Sequence, residues 1–193
     1  MNLRFRTALV LSFLSLCCFA SAQEHKLRTG LLSSLKGAGI SLQIDSPSGS
    51  EVDVINLYAD IYGLPTGRTS DLGVVLSYSH NYVLKTFGNS DVSAALYSGV
   101  GVSLGYVHDY EKGVFSKTHE RLLEKRMGGI LCLCINGGLA VDFERNLTID
   151  LSFSFNPGLH IRTESRNNSL KVSPYKLGVY QLIIPQLSLL YRF

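Results

Sequence analysis

An all-β fold, a single antiparallel up-and-down β-barrel of about eight strands, is what this sequence predicts, and three observations predict it. Apolar residues make up 46% of the chain, yet after residue 23 they form no run near the ~20 residues that a membrane-spanning helix needs. They recur instead at alternate positions, which gives a strand one apolar and one polar face. Glycine and tyrosine are plentiful, at 18 and 10 residues, while charged residues are only 17%, below the quarter usual in soluble proteins.

The first segment is not part of that barrel. Arg4 and Arg6 precede an apolar stretch from Ala8 to Phe19, and Ala20-Ser21-Ala22 supplies small residues at a cleavage position. This is the pattern of a secretory signal. Residues 1–22 are therefore expected to leave, with 23–193 as the barrel domain and Gln23 as its first residue. A lipid-anchored start at Cys17 or Cys18 fits poorly, because Leu16 stands where a small side chain is wanted. Losing Arg4 and Arg6 lowers the formal charge from +3 to +1.

The strands follow in order. Lys26 to Ser33 is the first, with a tight turn near Ser34 to Lys36. Ala38, Ile40, Leu42 and Ile44 alternate with Gly39, Ser41, Gln43 and Asp45. Ile55, Leu57, Ala59 and Ile61 alternate with Asn56, Tyr58, Asp60 and Tyr62. From Leu72 to Leu84 the even positions are apolar or aromatic, against Gly73, Val75, Ser77, Ser79 and Asn81. From Leu96 to Tyr106, Leu96, Val100, Val102 and Leu104 oppose Tyr97, Gly99, Gly101, Ser103 and Gly105. Leu131, Leu133, Ile135, Leu139, Val141 and Phe143 oppose Cys132, Cys134, Asn136, Gly138, Ala140 and Asp142. The segment from Leu147 to Asn156 is strict, with Leu147, Ile149, Leu151, Phe153 and Phe155 against Thr148, Asp150, Ser152, Ser154 and Asn156. The last strand, Leu177 to Phe193, is the least clean, because Leu182, Ile184 and Leu190 fall on its polar side. Pro157 and Pro185 sit within strands, where each lacks a ladder donor. Pro157 is expected at a rim, and Pro185 where a short first strand stops covering the last.

The connections sort into two sets. Ser46 to Glu51, Gly88 to Asp91 and Glu144 to Asn146 are short. Leu64 to Ser70, Asp109 to Met127 and Thr163 to Lys176 are long. With the C-terminus in the periplasm, these three short turns fall there and the three long loops outside, the asymmetry of transmembrane barrels.

Alternation alone also describes a soluble barrel with its apolar face inward. Here the polar face holds small groups with isolated charges, Asp45, Asp60, Lys85, Asp142, Asp150 and Arg192, rather than the Lys and Glu of a solvated strand face. The apolar face is thus expected to meet lipid, where a closed barrel pairs every backbone group. Lys85 and Arg192 are expected to offset Asp142 or Asp150 inside. The chain ends on Tyr191-Arg192-Phe193, with apolar residues at alternate upstream positions.

With the signal, the Gly99-Val100-Gly101-Val102-Ser103-Leu104-Gly105-Tyr106 strand and the Tyr191-Arg192-Phe193 end, residues 26–193 resemble the small eight-stranded outer-membrane β-barrel proteins of Gram-negative bacteria. The resemblance implies an outer-membrane location, contact with membrane lipid and lipopolysaccharide, and delivery to the barrel-assembly machinery through Phe193. It implies a monomer and carries no activity by itself.

The search for chemistry predicts no enzyme, no catalytic or metal-binding residue and no cofactor. Cys132 and Cys134, two apart on one strand, lie about 7 Å from each other, too far for an unstrained disulfide. His119-Glu120 opens like a zinc-protease helix, but Leu123 stands where the second histidine belongs. His80 could serve a deacylase acting on lipid A only with a serine and an acid. Ser79 is adjacent and so faces the other way, and the acid would come from afar, from Asp60 or Glu164. The charges from Asp109 to Met127 read as a solvated outer loop, or as a basic surface for lipopolysaccharide phosphates. No phosphate cradle and no basic–aromatic nucleic-acid face is present. The expected role is structural or surface-interacting, with a side-chain-filled lumen. A lipid A deacylase and a narrow conduit for small solutes are the alternatives.

Overall fold

The computed structural model describes residues 26–65, 69, 71–89, 91–110, 125–143, 146–164, 169–175 and 184–193. The expected signal (1–22) and His119-Glu120 lie outside them, as does most of the loop around the latter. Among the described residues there are ten strands: β1 (Lys26–Ser34), β2 (Ala38–Asp45), β3 (Glu51–Ala59), β4 (Val74–Gly88), β5 (Val92–Tyr110), β6 (Lys125–Phe143), β7 (Leu147–Phe155), β8 (Gly158–Glu164), β9 (Ser169–Pro174) and β10 (Ile184–Arg192). All pairings are antiparallel. They run from β1 in sequence order to β7, then from β7 to β10 and back to β1. The sheet therefore closes on itself.

Ten strands fill eight places because two places are shared. β7 pairs with the lower part of β6, from Phe143 to Ile135, and β8 with its upper part, from Cys132 to Gly129. Asn156 and Pro157 separate them. Leu133 N donates to Pro157 O at 2.9 Å, so the ladder with β6 runs on across the break. Pro157 thus sits inside a place in the wall rather than at its end. β9 pairs with β8 above the level at which β10 pairs with β7. Most of the expected Thr163–Lys176 loop is accordingly a hairpin: the alternation of Leu159, Ile161, Leu170 and Val172 with polar residues continues the sheet. Pro185 lies opposite Phe153, one residue beyond the point where Ser34 of β1 meets Gln186. Its missing donor falls where β1 gives no partner.

The strands are strongly tilted, as closure demands. A row of paired residues leaves β4 at Lys85 and passes through Leu96, Leu139, Leu151, Leu187, Ser33, Ala38 and Ala59. It re-enters β4 at Val74, far up the same strand. β5 and β6 continue past the level of Val74, their pairing running on from Tyr106↔Gly129 to Tyr110↔Lys125. Together with β8 and β9 they form a four-strand extension above one side of the upper rim. While the short β1–β2 turn lies at the upper rim, the lower rim carries the β2–β3, β4–β5 and β6–β7 turns and the C-terminus. Its β6–β7 turn has Asn146 at φ 60° and its β4–β5 turn has Gly88 at φ 111°.

The apolar face points outward. Leu133, Leu151 and Phe153 are about half exposed or more, while Asp150 and Cys132 are each 2% exposed. β7 alternates exposed and buried over its whole length. One expected inward charge is misplaced. Val83 pairs with Tyr97 and Lys85 with Leu96, so Leu84 is an extra residue. This bulge reverses the alternation below it. Lys85 therefore faces outward, with Nζ 5.0 Å from the centroid of the Phe87 ring.

Gly99 and Gly101 line the inner face, but spare room in the lumen is not what they supply. A Cβ on Gly101 would lie 2.0 Å from Tyr78 O, and one on Gly99 2.1 Å from His80 O. Close approach of β4 and β5 requires glycine there.

Candidate functional site

The lumen is where the polar residues gather, and it is built in three levels. At the lower mouth Arg28 projects from β1 and is 4% exposed. It donates through Nη2 to Asp45 Oδ1 on β2 and through Nη1 to Asp142 Oδ1 on β6, at 3.5 Å for the second. That second contact reaches across the barrel. Arg192 meets the other oxygen of Asp142 at 2.8 Å, and Thr148 Oγ1 also donates to Asp142. Two cations and two carboxylates thus cancel. They border a cavity of about 360 Å³ together with Lys26, Gln43, Tyr97 and Ala140.

The expected pair of Arg192 with Asp142 is present; Lys85 takes no part, and Arg28 does its work. The tilt of β1 against β2 and β6 decides this, and tilt is not written in a single strand. Asp150 also differs from expectation. It accepts hydrogen bonds from Tyr97 Oη, at 2.8 and 2.9 Å, and from Gln43 Nε2 at 2.7 Å. Since Gln43 lies on β2 and Asp150 on β7, this contact is a second bar across the lumen.

Above that bar is a layer of small polar groups. Asn81 Nδ2 donates to Val52 O and to Ser79 Oγ, at 3.2 and 3.1 Å. Cys134 Sγ donates to Asn136 Oδ1 at 3.0 Å. Gln186 Nε2 donates to Ser154 Oγ at 3.3 Å. The gap among them is about 20 Å³, room for one water at most. Cys132 and Cys134 are buried free thiols.

The top level is apolar. Leu32, Tyr58, Val75, Val107, Ile130 and Cys132 pack together inside the barrel, with Tyr175 against them. Lys36 is buried beside this plug, its Nζ 3.2 Å from Tyr175 Oη and 5.1 Å from the ring centroid. Residues of five strands meet here, with Tyr175 from just beyond β9, so no single segment announces the plug.

His80 is on the outer face. Its Nδ1 is 2.8 Å from Asp53 Oδ1, and Tyr78 Oη donates to the same oxygen at 2.9 Å. Ser79 points inward, to Asn81. Neither acid considered from sequence is this partner. Asp60 is buried at the upper rim, accepting from Gly63 N, and the backbone of Glu164 lies in β8 above it. The cross-strand register of β3 and β4 brings in Asp53 directly opposite His80. Among the described residues no group of three or more His, Cys, Asp and Glu side chains is arranged to hold a metal.

No family model matches this chain, and no curated protein matches it. Solved structures do. The N-terminal β-barrel domain of Pseudomonas aeruginosa OprF has a TM-score of 0.52 at 13% identity, covering 89% of this chain and 98% of that one. A major outer membrane protein from Thermus thermophilus has a TM-score of 0.46 at 13% identity, covering 89% and 100%. Ail of Yersinia pestis, solved with the heparin analogue sucrose octasulfate, has 0.36 at 15% identity, covering 88% and 97%. At such identities the likeness is one of fold. Closed, antiparallel and with eight places in its wall, this chain has the fold of the small outer-membrane β-barrels.

Proposed function

We propose that this chain is an outer-membrane β-barrel protein with a structural or surface-interaction role and a lumen that conducts nothing. The observation that carries the reading is the division of the side chains. A girdle of exposed Leu, Ile, Val, Phe and Tyr surrounds a polar, hydrogen-bonded interior. In water such a surface far exceeds what a soluble monomer exposes, and in hydrocarbon it is matched. On this reading the lower rim faces the periplasm, and the extension of β5, β6, β8 and β9 faces outward, toward lipopolysaccharide and other surface partners. The barrel acts as a monomer, delivered by the assembly machinery through the exposed Phe193.

A non-conducting lumen is favoured over a solute conduit because two bars and an apolar plug cross it at different heights. A non-enzymatic role is favoured over a deacylase because Ser79 points inward and Ser98, the outward serine opposite Tyr82, donates its hydroxyl to Asn136 O rather than to His80. Three measurements test the proposal. The mature protein should appear in the outer-membrane fraction. It should migrate differently on gels before and after boiling, and it should carry no current in planar bilayers. Steady single-channel current would instead support the conduit. Acyl-chain release from lipid A, lost in His80→Ala, would support the enzyme.

A further inference from the structure

Between the Asp150 bar and the apolar plug, the gap of about 20 Å³ is bordered by residues of β2 to β7 and of β10. Two of them, Ser41 and Asn56, stand opposite each other in the β2–β3 ladder. Both are more than nine-tenths buried, Ser41 at 1% exposed and Asn56 at 8%. Neither Ser41 Oγ nor Asn56 Oδ1 has a hydrogen-bond partner among the described residues. The amide donors around them are engaged elsewhere. Asn81 Nδ2 goes to Val52 O and Ser79 Oγ, Gln186 Nε2 to Ser154 Oγ and Gln43 Nε2 to Asp150. A buried polar atom without a partner carries the full cost of its desolvation. Folded interiors leave few such atoms, and two side by side at the edge of one gap call for a shared partner.

We infer that the gap is a binding site for one ordered water molecule, held between Ser41 Oγ and Asn56 Oδ1. The size selects water, since a space on this scale admits one water and nothing larger. The chemistry selects it too. Asn56 Oδ1 only accepts, so its partner must bring a donor, while the Ser41 hydroxyl can donate or accept. Directly opposed residues hold their Cβ atoms about 4.5–5.5 Å apart, room for a molecule that bridges the two side chains. A water donates to Asn56, bonds Ser41 in either sense, and keeps capacity for Ser77 or Ser188, which border the same gap. A metal ion fits less well, because the one carboxylate at the gap, Asp150, already accepts at both oxygens. The site lies inside the barrel and does not depend on what the outer face meets. Below it stand the two bars and above it the plug. The water therefore exchanges with bulk only when one of these opens, and the middle of the lumen is wet yet closed.

A high-resolution crystal structure of the mature barrel tests the site directly. It should show one density peak within hydrogen-bond distance of both Ser41 Oγ and Asn56 Oδ1. A gap without density would overturn the site. So would a Ser41 hydroxyl donating straight to Asn56 Oδ1, or a peak ringed by oxygens at the short distances of a metal ion. Unfolding from vesicles in urea gives an independent reading through its sign. Ser41→Ala removes the hydroxyl and little else, and a gel shift on boiling verifies that the variant is folded. With the water in place, the variant takes away one of its partners, and the urea midpoint should fall by about 0.5 M, the scale of one hydrogen bond at the usual urea slope. If the hydroxyl is an orphan, losing it relieves a desolvation cost. A midpoint that stays level or rises would then overturn the site.

Discussion

The two ends of the lumen are closed by opposite chemistries. At the lower mouth Arg28 spans the barrel between Asp45 and Asp142, and the closure depends on charge pairing beside a small cavity. At the upper end Leu32, Tyr58, Val75, Val107 and Ile130 close the barrel by packing. One narrow barrel can thus be sealed either way, and the two seals fail differently. An ionic bar that loses one partner leaves a buried charge uncompensated, whereas a plug that loses a methyl group leaves a hole.

Removing the hub of the ionic end should have the largest effect. Arg28→Ala takes from Asp45 and Asp142 the buried cation they share, leaving Asp142 with Arg192, and should cost about 3–5 kcal/mol, read as a lower urea midpoint for unfolding from vesicles. If Arg28→Ala unfolds like the wild type, the lower seal is not ionic. Next comes the apolar end, where Leu32→Ala should cost about 3 kcal/mol through the cavity it leaves, in the same assay. Leu133→Arg, on the lipid face outside both seals, should cost about 2–3 kcal/mol and slow membrane insertion. A neutral outcome there would argue that the outer face is not in hydrocarbon. Arg192→Ala should have the smallest effect, about 1 kcal/mol, because its pair with Asp142 is partly exposed on both sides and screened. The contrast between Arg28 and Arg192 then measures what burial adds to one carboxylate's two partners. Conductance separates the seals in a different way. Arg28→Ala alone should stay silent in planar bilayers because the plug still closes the upper end. Current should appear only when Gln43→Ala, which removes the second bar, is added together with Tyr58→Ser and Ile130→Ser.

The two ends also differ in how far the sequence discloses them. Period two is clearest where the lumen is wet, as from Leu147 to Asn156, because inside and outside then differ in polarity. Where the lumen is dry the contrast vanishes. The buried Val75, Val107 and Ile130 are as apolar as the residues that face outward, which is why nothing in the pattern foretells the plug, and the last strand reads as ragged because Ile184 and Leu190 are apolar yet buried on its inner side. The misplacement of Lys85 comes from a single inserted residue, Leu84, since one extra position turns every later side chain to the other face. The Asp53–His80 pair is hidden for a third reason. Its members are far apart in the chain and meet only through the register of β3 with β4, which the hairpin's long upper loop leaves unspecified. Arg28 escapes notice because strand tilt, not any local pattern, carries it across to β6.

The interruption at Asn156 and Pro157 bears on how such a protein can change over time. Below it, every residue of the wall answers to neighbours on both sides and to the contents of the lumen. Above it, β8 and β9 hang from β6 by a short ladder of their own, joined to the lower wall through Pro157 O and Leu133 N. Changes toward the Glu164–Ser169 end of that hairpin, away from Tyr175 and the plug it packs on, leave the closed ring beneath untouched. In the proposed orientation, the outward-facing hairpin is free to diversify while the ring that folds in the bilayer stays as it is.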